Sequence, residues 1–93
     1  MACKHLNIKV TGKVQGVWFR KYTKDQADAL QLNGTVQNMP DDSVYIEVES
    51  DDEIRLNKFL QWLQTGSPLS RVDNIATDQS DKCTGFKSFE IIR

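Results

Sequence analysis

Val44-Tyr45-Ile46-Glu47-Val48-Glu49-Ser50-Asp51-Asp52-Glu53-Ile54-Arg55-Leu56-Asn57-Lys58-Phe59-Leu60-Gln61-Trp62-Leu63 changes its hydrophobic period midway, and that change organises the whole chain. Val44, Ile46 and Val48 alternate with polar residues, as a half-buried strand does. Leu56, Phe59, Leu60 and Leu63 then fall at i, i+3, i+4 and i+7, one face of an amphipathic helix. Between the two, Ser50 and Glu53 have the spacing of a capping box. Asp51, Asp52 and Glu53 set negative charge against the positive end of the helix dipole. Gly66 and Pro68 end the helix.

Upstream, Gly34-Thr35-Val36-Gln37-Asn38 reads as a short strand, and the turn Met39-Pro40-Asp41-Asp42-Ser43 joins it to Val44–Glu49 as a hairpin. A helix is expected from about Phe19 to Leu32, with Phe19, Tyr22, Ala29 and Leu30 near one face. Asn33-Gly34 supplies residues tolerant of the left-handed stop. His5-Leu6-Asn7-Ile8-Lys9-Val10 alternates strictly and reads as the first strand. Beyond the second helix, a weaker strand is expected around Val72 to Thr77 and a last one around Phe86 to Ile92. The order is strand, helix, strand, strand, helix, strand, with one more strand near the end. Two split strand–helix–strand units of this kind make an α+β, ferredoxin-like sandwich (βαββαβ), an antiparallel sheet with two helices on one face. Many functions share that topology, so it selects none.

The 93 residues suffice for one domain, expected to span 1–93. With a net charge of −1, nothing global favours nucleic acid or an anionic membrane, so any anion site must be built locally. The start, Met1-Ala2-Cys3-Lys4-His5, leads into no apolar run of signal-peptide or membrane length, and a cytoplasmic location is expected. Cys3 and Cys83 lack metal-ligand spacing and are expected as reduced thiols; spacing alone does not decide whether they pair. With His5 the sole histidine, there is neither a zinc-type ligand cluster nor a Ser/His/Asp or Cys/His set. His5 is expected at the surface. Tyr45, Glu47 and Glu49 are expected on the outer face of their strand, and Trp62 in packing.

Between the first strand and the first helix lies Gly12-Lys13-Val14-Gln15-Gly16-Val17-Trp18-Phe19-Arg20. A glycine-bounded turn there aims backbone N–H groups into one concavity beside the positive end of a helix dipole. Arg20 adds a planar charged fork suited to phosphate oxygens. No Lys-Ser/Thr pair follows the second glycine, so this is not a Walker loop. On spacing alone, a tight turn with a solvated Arg20 also accounts for the segment. An arginine in the first turn of a helix opposes its dipole, however, and that misfit calls for a functional reason.

The segment resembles the signature of the acylphosphatase family, glycine–any–Val-Gln-Gly-Val–any–Phe-Arg, at each defined position. Gly34-Thr35-Val36-Gln37-Asn38 resembles its second motif, Gly–any–Val–any–Asn. Weaker likeness continues through Gly66-Ser67-Pro68, Val72 and Phe89-Glu90-Ile91. The resemblance implies a hydrolase that splits acyl phosphates into carboxylate and inorganic phosphate. Arg20 would bind the phosphate and Asn38 would position the attacking water. Gln15, Gly16, Val17, Trp18 and Phe19 would donate backbone N–H groups. It implies no metal or cofactor, no nucleic acid or membrane partner, and a monomer. Departures are Trp18 at the variable position, and Asp42 and Ser50 where relatives commonly carry glycine. Two other readings compete: a non-catalytic anion-binding domain that keeps the loop, and a single-strand RNA-binding domain of the same topology. The latter wants aromatic and basic residues on central strands that here carry Leu6, Ile8, Val10, Glu47 and Glu49.

Overall fold

In the computed structural model, which describes residues 3–92, the chain runs β1 (Lys4–Lys13), α1 (Phe19–Ala29), β2 (Asn33–Asn38), β3 (Val44–Ser50), α2 (Glu53–Thr65), β4 (Arg71–Ser80) and β5 (Phe89–Ile92). The strands form one sheet in the order β4-β1-β3-β2-β5. β1 pairs antiparallel with β3 and β4, and β2 antiparallel with β3, which makes the expected hairpin. β5 runs parallel to β2, so the expected antiparallel sheet is in fact mixed. The reason is topological. β4 ends with Ser80 beside His5, and β5 begins with Phe89 beside Gly34, both at the same end of the sheet. Residues 81–88 cross that end, and a strand entering there must run as β2 does.

The alternation read in the strands holds. Leu6, Ile8 and Val10 of β1, with Ile46 and Val48 of β3, face a core completed by Phe59 and Leu63 of α2. Each such side chain contributes about 2 kcal/mol of transfer free energy. The helices touch at Phe19 and Trp62, whose ring centroids lie 6.0 Å apart, and Phe59 meets Phe89 edge-on at 6.2 Å. The two-helix, five-strand arrangement is the ferredoxin-like one.

Several local expectations are corrected. Helix α1 stops at Ala29 rather than Leu32. Gln31, at φ 57°, takes the left-handed position expected of Asn33-Gly34, and the Leu32 N–H closes back on the Ala27 carbonyl at 2.9 Å. Gly34 serves β2 instead. The buried face of α1 is Phe19, Thr23 and Ala27, with Tyr22 and Ala29 exposed. At α2 the cap is Asp52, not Ser50: its Oδ1 accepts from the Ile54 and Arg55 N–H groups at 2.9 and 3.3 Å. An ionised carboxylate is a better acceptor for first-turn donors than a hydroxyl. Ser50 Oγ accepts from Asp52 N–H at 3.0 Å, and Glu53 pairs with Lys4 rather than completing a capping box.

The crossing segment also overturns three surface expectations. It brings Cys83 to Cys3, and the two form a disulfide, with Cα atoms 6.2 Å apart, instead of remaining reduced thiols. It covers His5 and Glu49, which are buried rather than exposed. Glu49 accepts N–H bonds from Thr84, from Gly85 at 3.0 Å and from Phe86 at 3.2 Å.

Candidate active site

The segment 14–18 links β1 to α1, and buried side chains pin it from beneath. Val14, Val17 and Phe19 are buried in the core cluster. Two side-chain bonds fix it laterally. The Gln15 amide Nε2 donates to the Met39 and Ser43 carbonyls, at 2.9 and 2.8 Å, tying the loop to the β2–β3 turn. Ser67 Oγ donates to the Val17 carbonyl at 2.9 Å, tying it to the segment beyond α2. Gly16 has φ 73°, and a Cβ there would meet only open space. Trp18, at φ 63°, is also left-handed and caps α1 without a side-chain hydrogen bond. The first turn of α1 carries no acidic residue, so the positive end of its dipole is left uncompensated by the helix itself.

Arg20 follows directly on that helix start, and Asn38 ends β2. β3 brings them to one end of the sheet, because Val44 pairs with both Val10 of β1 and Asn38 of β2. There a cleft of ≈ 590 Å³ is lined by Arg20, Asn38, Gly16, Trp18 and Phe19. Arg20 forms no ion pair with a carboxylate among the described residues. Asn38 Oδ1 is buried and has no hydrogen-bond partner there.

The turn after Asn38 is held rigidly. Asp41 accepts from the Ser43 N–H at 3.1 Å and from its hydroxyl, and pairs with Lys9 at 2.8 Å. The Lys9 ammonium, followed by the Ser43 bonds, holds the Asp41 carboxyl well below the usual carboxylate range. Asp41 is thus a fixed anion and no proton carrier near neutrality. Asp42 adopts φ 72°, the left-handed geometry for which glycine is the usual residue.

Of the site residues expected from the sequence, Gly16, Trp18, Phe19, Arg20 and Asn38 line the cleft. Gln15 and Val17 stand behind it as anchors of the loop. Val14, Lys21, Lys24, Asp25 and Ile91 also line the cleft and were not singled out. Lys24 was within reach of a helical reading, four residues beyond Arg20. Ile91 was not, because only the parallel pairing with β2 carries it there.

The acylphosphatase family model matches residues 6–91, and so takes in both the loop and Asn38. This chain belongs to the acylphosphatase family. The acylphosphatase of Bacillus licheniformis is 39% identical over 84 residues, 90% of this chain and 92% of that one. The acylphosphatase of Archaeoglobus fulgidus is 38% identical over 86 residues, covering 92% and 94%. The crystal structure of acylphosphatase from Bacillus subtilis superposes with a TM-score of 0.92 at 34% identity, covering 97% of this chain and 99% of that chain. As in those acylphosphatases, the fold spans nearly the whole chain.

Proposed function

We propose that this family member hydrolyses the carboxyl–phosphate bond of acyl phosphates in the cleft beneath Arg20, with Asn38 aligning the water. The carrying observation is the cleft itself, which sets Arg20, paired with no carboxylate among the described residues, beside Asn38 and the uncompensated start of α1. An acyl phosphate is a mixed anhydride with a good carboxylate leaving group, so charge stabilisation and alignment suffice. Arg20 and the backbone N–H groups of residues 15–19 hold the phosphate oxygens. The Asn38 side-chain amide hydrogen-bonds the water, whose oxygen attacks phosphorus as the bond to the acyl oxygen breaks. The carboxylate leaves with the bonding pair, and the water's proton passes to a phosphate oxygen.

Purified protein should release inorganic phosphate from acetyl phosphate and leave a phosphate monoester intact. Phosphate binding without turnover would favour a non-catalytic anion-binding domain instead. No helix among the described residues is long and apolar enough to cross a membrane. We place the protein in the cytoplasm as a monomer, without nucleic acid or membrane partners. Cell fractionation tests that location, and thiol labelling of the fraction that holds the protein reads whether Cys3 and Cys83 are paired there.

A further inference from the structure

At ≈ 590 Å³ the cleft has the size of a drug-sized ligand site and exceeds what a phosphate group fills. Past Arg20 and Asn38 its walls are Trp18, Ile91 and the region of Lys21, Lys24 and Asp25. The charges in that region are already matched. Lys21 pairs with Asp25 at 3.1 Å, while Lys24 pairs with Asp28 at 3.1 Å and donates to the Phe89 carbonyl at 2.7 Å. What remains for a ligand there is apolar surface, chiefly the Trp18 indole.

Trp18 is an unlikely residue for a mere loop. It is 69% exposed, although tryptophan is among the side chains that gain most from burial. Its backbone sits at φ 63°, ψ 17°, a region that costs a bulky residue roughly 1 kcal/mol or more. Gly16, two positions earlier, meets the same need for positive φ with a glycine, whereas this position carries a tryptophan. A strained, exposed aromatic on the lip of a ligand cleft points to contact with a ligand.

We propose that Trp18 sets substrate preference: its indole carries the acyl group, and the favoured substrates have a planar aromatic or extended apolar acyl portion. This rests on the phosphate lying at Arg20, as proposed above. The phosphate then anchors one end of the substrate, and the acyl group lies across the indole with Ile91 behind it. An acetyl group is too short to make that contact.

The test is kcat/KM for benzoyl phosphate and acetyl phosphate with wild-type protein, Trp18→Gly and Trp18→Phe, alongside inhibition by inorganic phosphate. Trp18→Gly should lower the benzoyl-to-acetyl ratio about tenfold, mainly through KM, whatever it does to the loop. Trp18→Phe should retain most of the ratio. A parallel loss on both substrates would overturn the proposal and leave Trp18 as a loop residue. Wild-type protein inert toward both substrates would overturn the site reading and this inference together, whereas activity with an unchanged ratio defeats Trp18 alone.

Discussion

At the scale of single residues, the proposed mechanism divides the work between a cation and a neutral amide. In that proposal Arg20 presents its planar fork to phosphate oxygens, and its position at the uncompensated start of α1 adds to the positive potential there. Arg20→Ala should lower kcat/KM by on the order of 10³, about 4 kcal/mol, with the fold intact. Arg20→Lys should recover little, since an ammonium lacks the two-point contact. Circular dichroism and steady-state kinetics check both, and near-normal turnover would remove Arg20 from the mechanism. Asn38→Ala should depress kcat by about 10² or more while leaving inhibition by inorganic phosphate nearly unchanged. A loss of phosphate affinity equal to the loss of rate would make Asn38 a substrate ligand instead. Both residues were legible in the sequence because they sit inside short motifs. The cleft's far wall was not, since Lys21, Asp25 and Ile91 come from ordinary helix and strand positions.

The elements hold those two residues through close backbone approaches. Gly34 is the plainest case: a Cβ there would lie 1.8 Å from the Glu47 carbonyl oxygen and 2.9 Å from Val48 Cα. Neither neighbour can swing away, because both belong to the backbone of β3. Gly34→Ala should therefore destabilise the protein by about 3 kcal/mol in urea unfolding. It should also impair turnover, because β2 ends in Asn38. An alanine variant of wild-type stability would mean that β2 and β3 can part without cost. This glycine also marks where reading by pattern failed. Asn33-Gly34 after an apolar helix matches a helix stop, yet Gln31 performs that role and Gly34 answers to its neighbouring strand. Periodicity found β1, β3 and α2, because their apolar positions are buried at the expected spacing. It could not find the parallel β5, the Asp52 cap or the left-handed Gln31, since each depends on a neighbour distant in sequence or on a one-residue competition between acceptors.

Across the whole molecule, the sheet separates the proposed site from a structural clasp. The loop and Asn38 lie at the Val10–Val44 end, whereas His5 pairs with Glu49 at the other, about 16 Å along β1. In the clasp, His5 Nδ1 lies 2.6 Å from Glu49 Oε2 and Nε2 lies 2.9 Å from Asn7 Oδ1, with Glu47 at 3.2 Å, so that both nitrogens donate when the ring is protonated. Tyr45 donates to Asn7, Asp78 of β4 lies opposite Asn7, and Phe86 stacks on the ring at 6.3 Å. Burial disfavours the His5 cation, but the bonds to Glu49 and Asn7 and the charges of Glu49 and Glu47 outweigh it and raise the pKa. Burial likewise disfavours the Glu49 anion. The Thr84 N–H, His5 and the Gly85 and Phe86 N–H groups reverse that and hold its pKa at about 2. A raised histidine stabilises fully below its unfolded value, about 6.5, and the contribution fades as pH rises through the folded value. A depressed carboxylate stabilises fully above about 4.3 and fades as pH falls toward 2. Melting temperature should thus peak between about pH 4.5 and 6.5, and His5→Gln should remove the alkaline decline. Turnover should behave differently, because the cleft contains no histidine and neither Arg20 nor Asn38 is assigned a proton to exchange. Below the unfolding temperature, kcat should stay nearly flat from about pH 5 to 8 once substrate ionisation is allowed for. A kcat profile that followed the melting curve, and lost its alkaline limb in His5→Gln, would show that the clasp reaches the site. A bell-shaped profile indifferent to His5 would instead require a proton-transfer group at the cleft, with Asp25 the first to substitute.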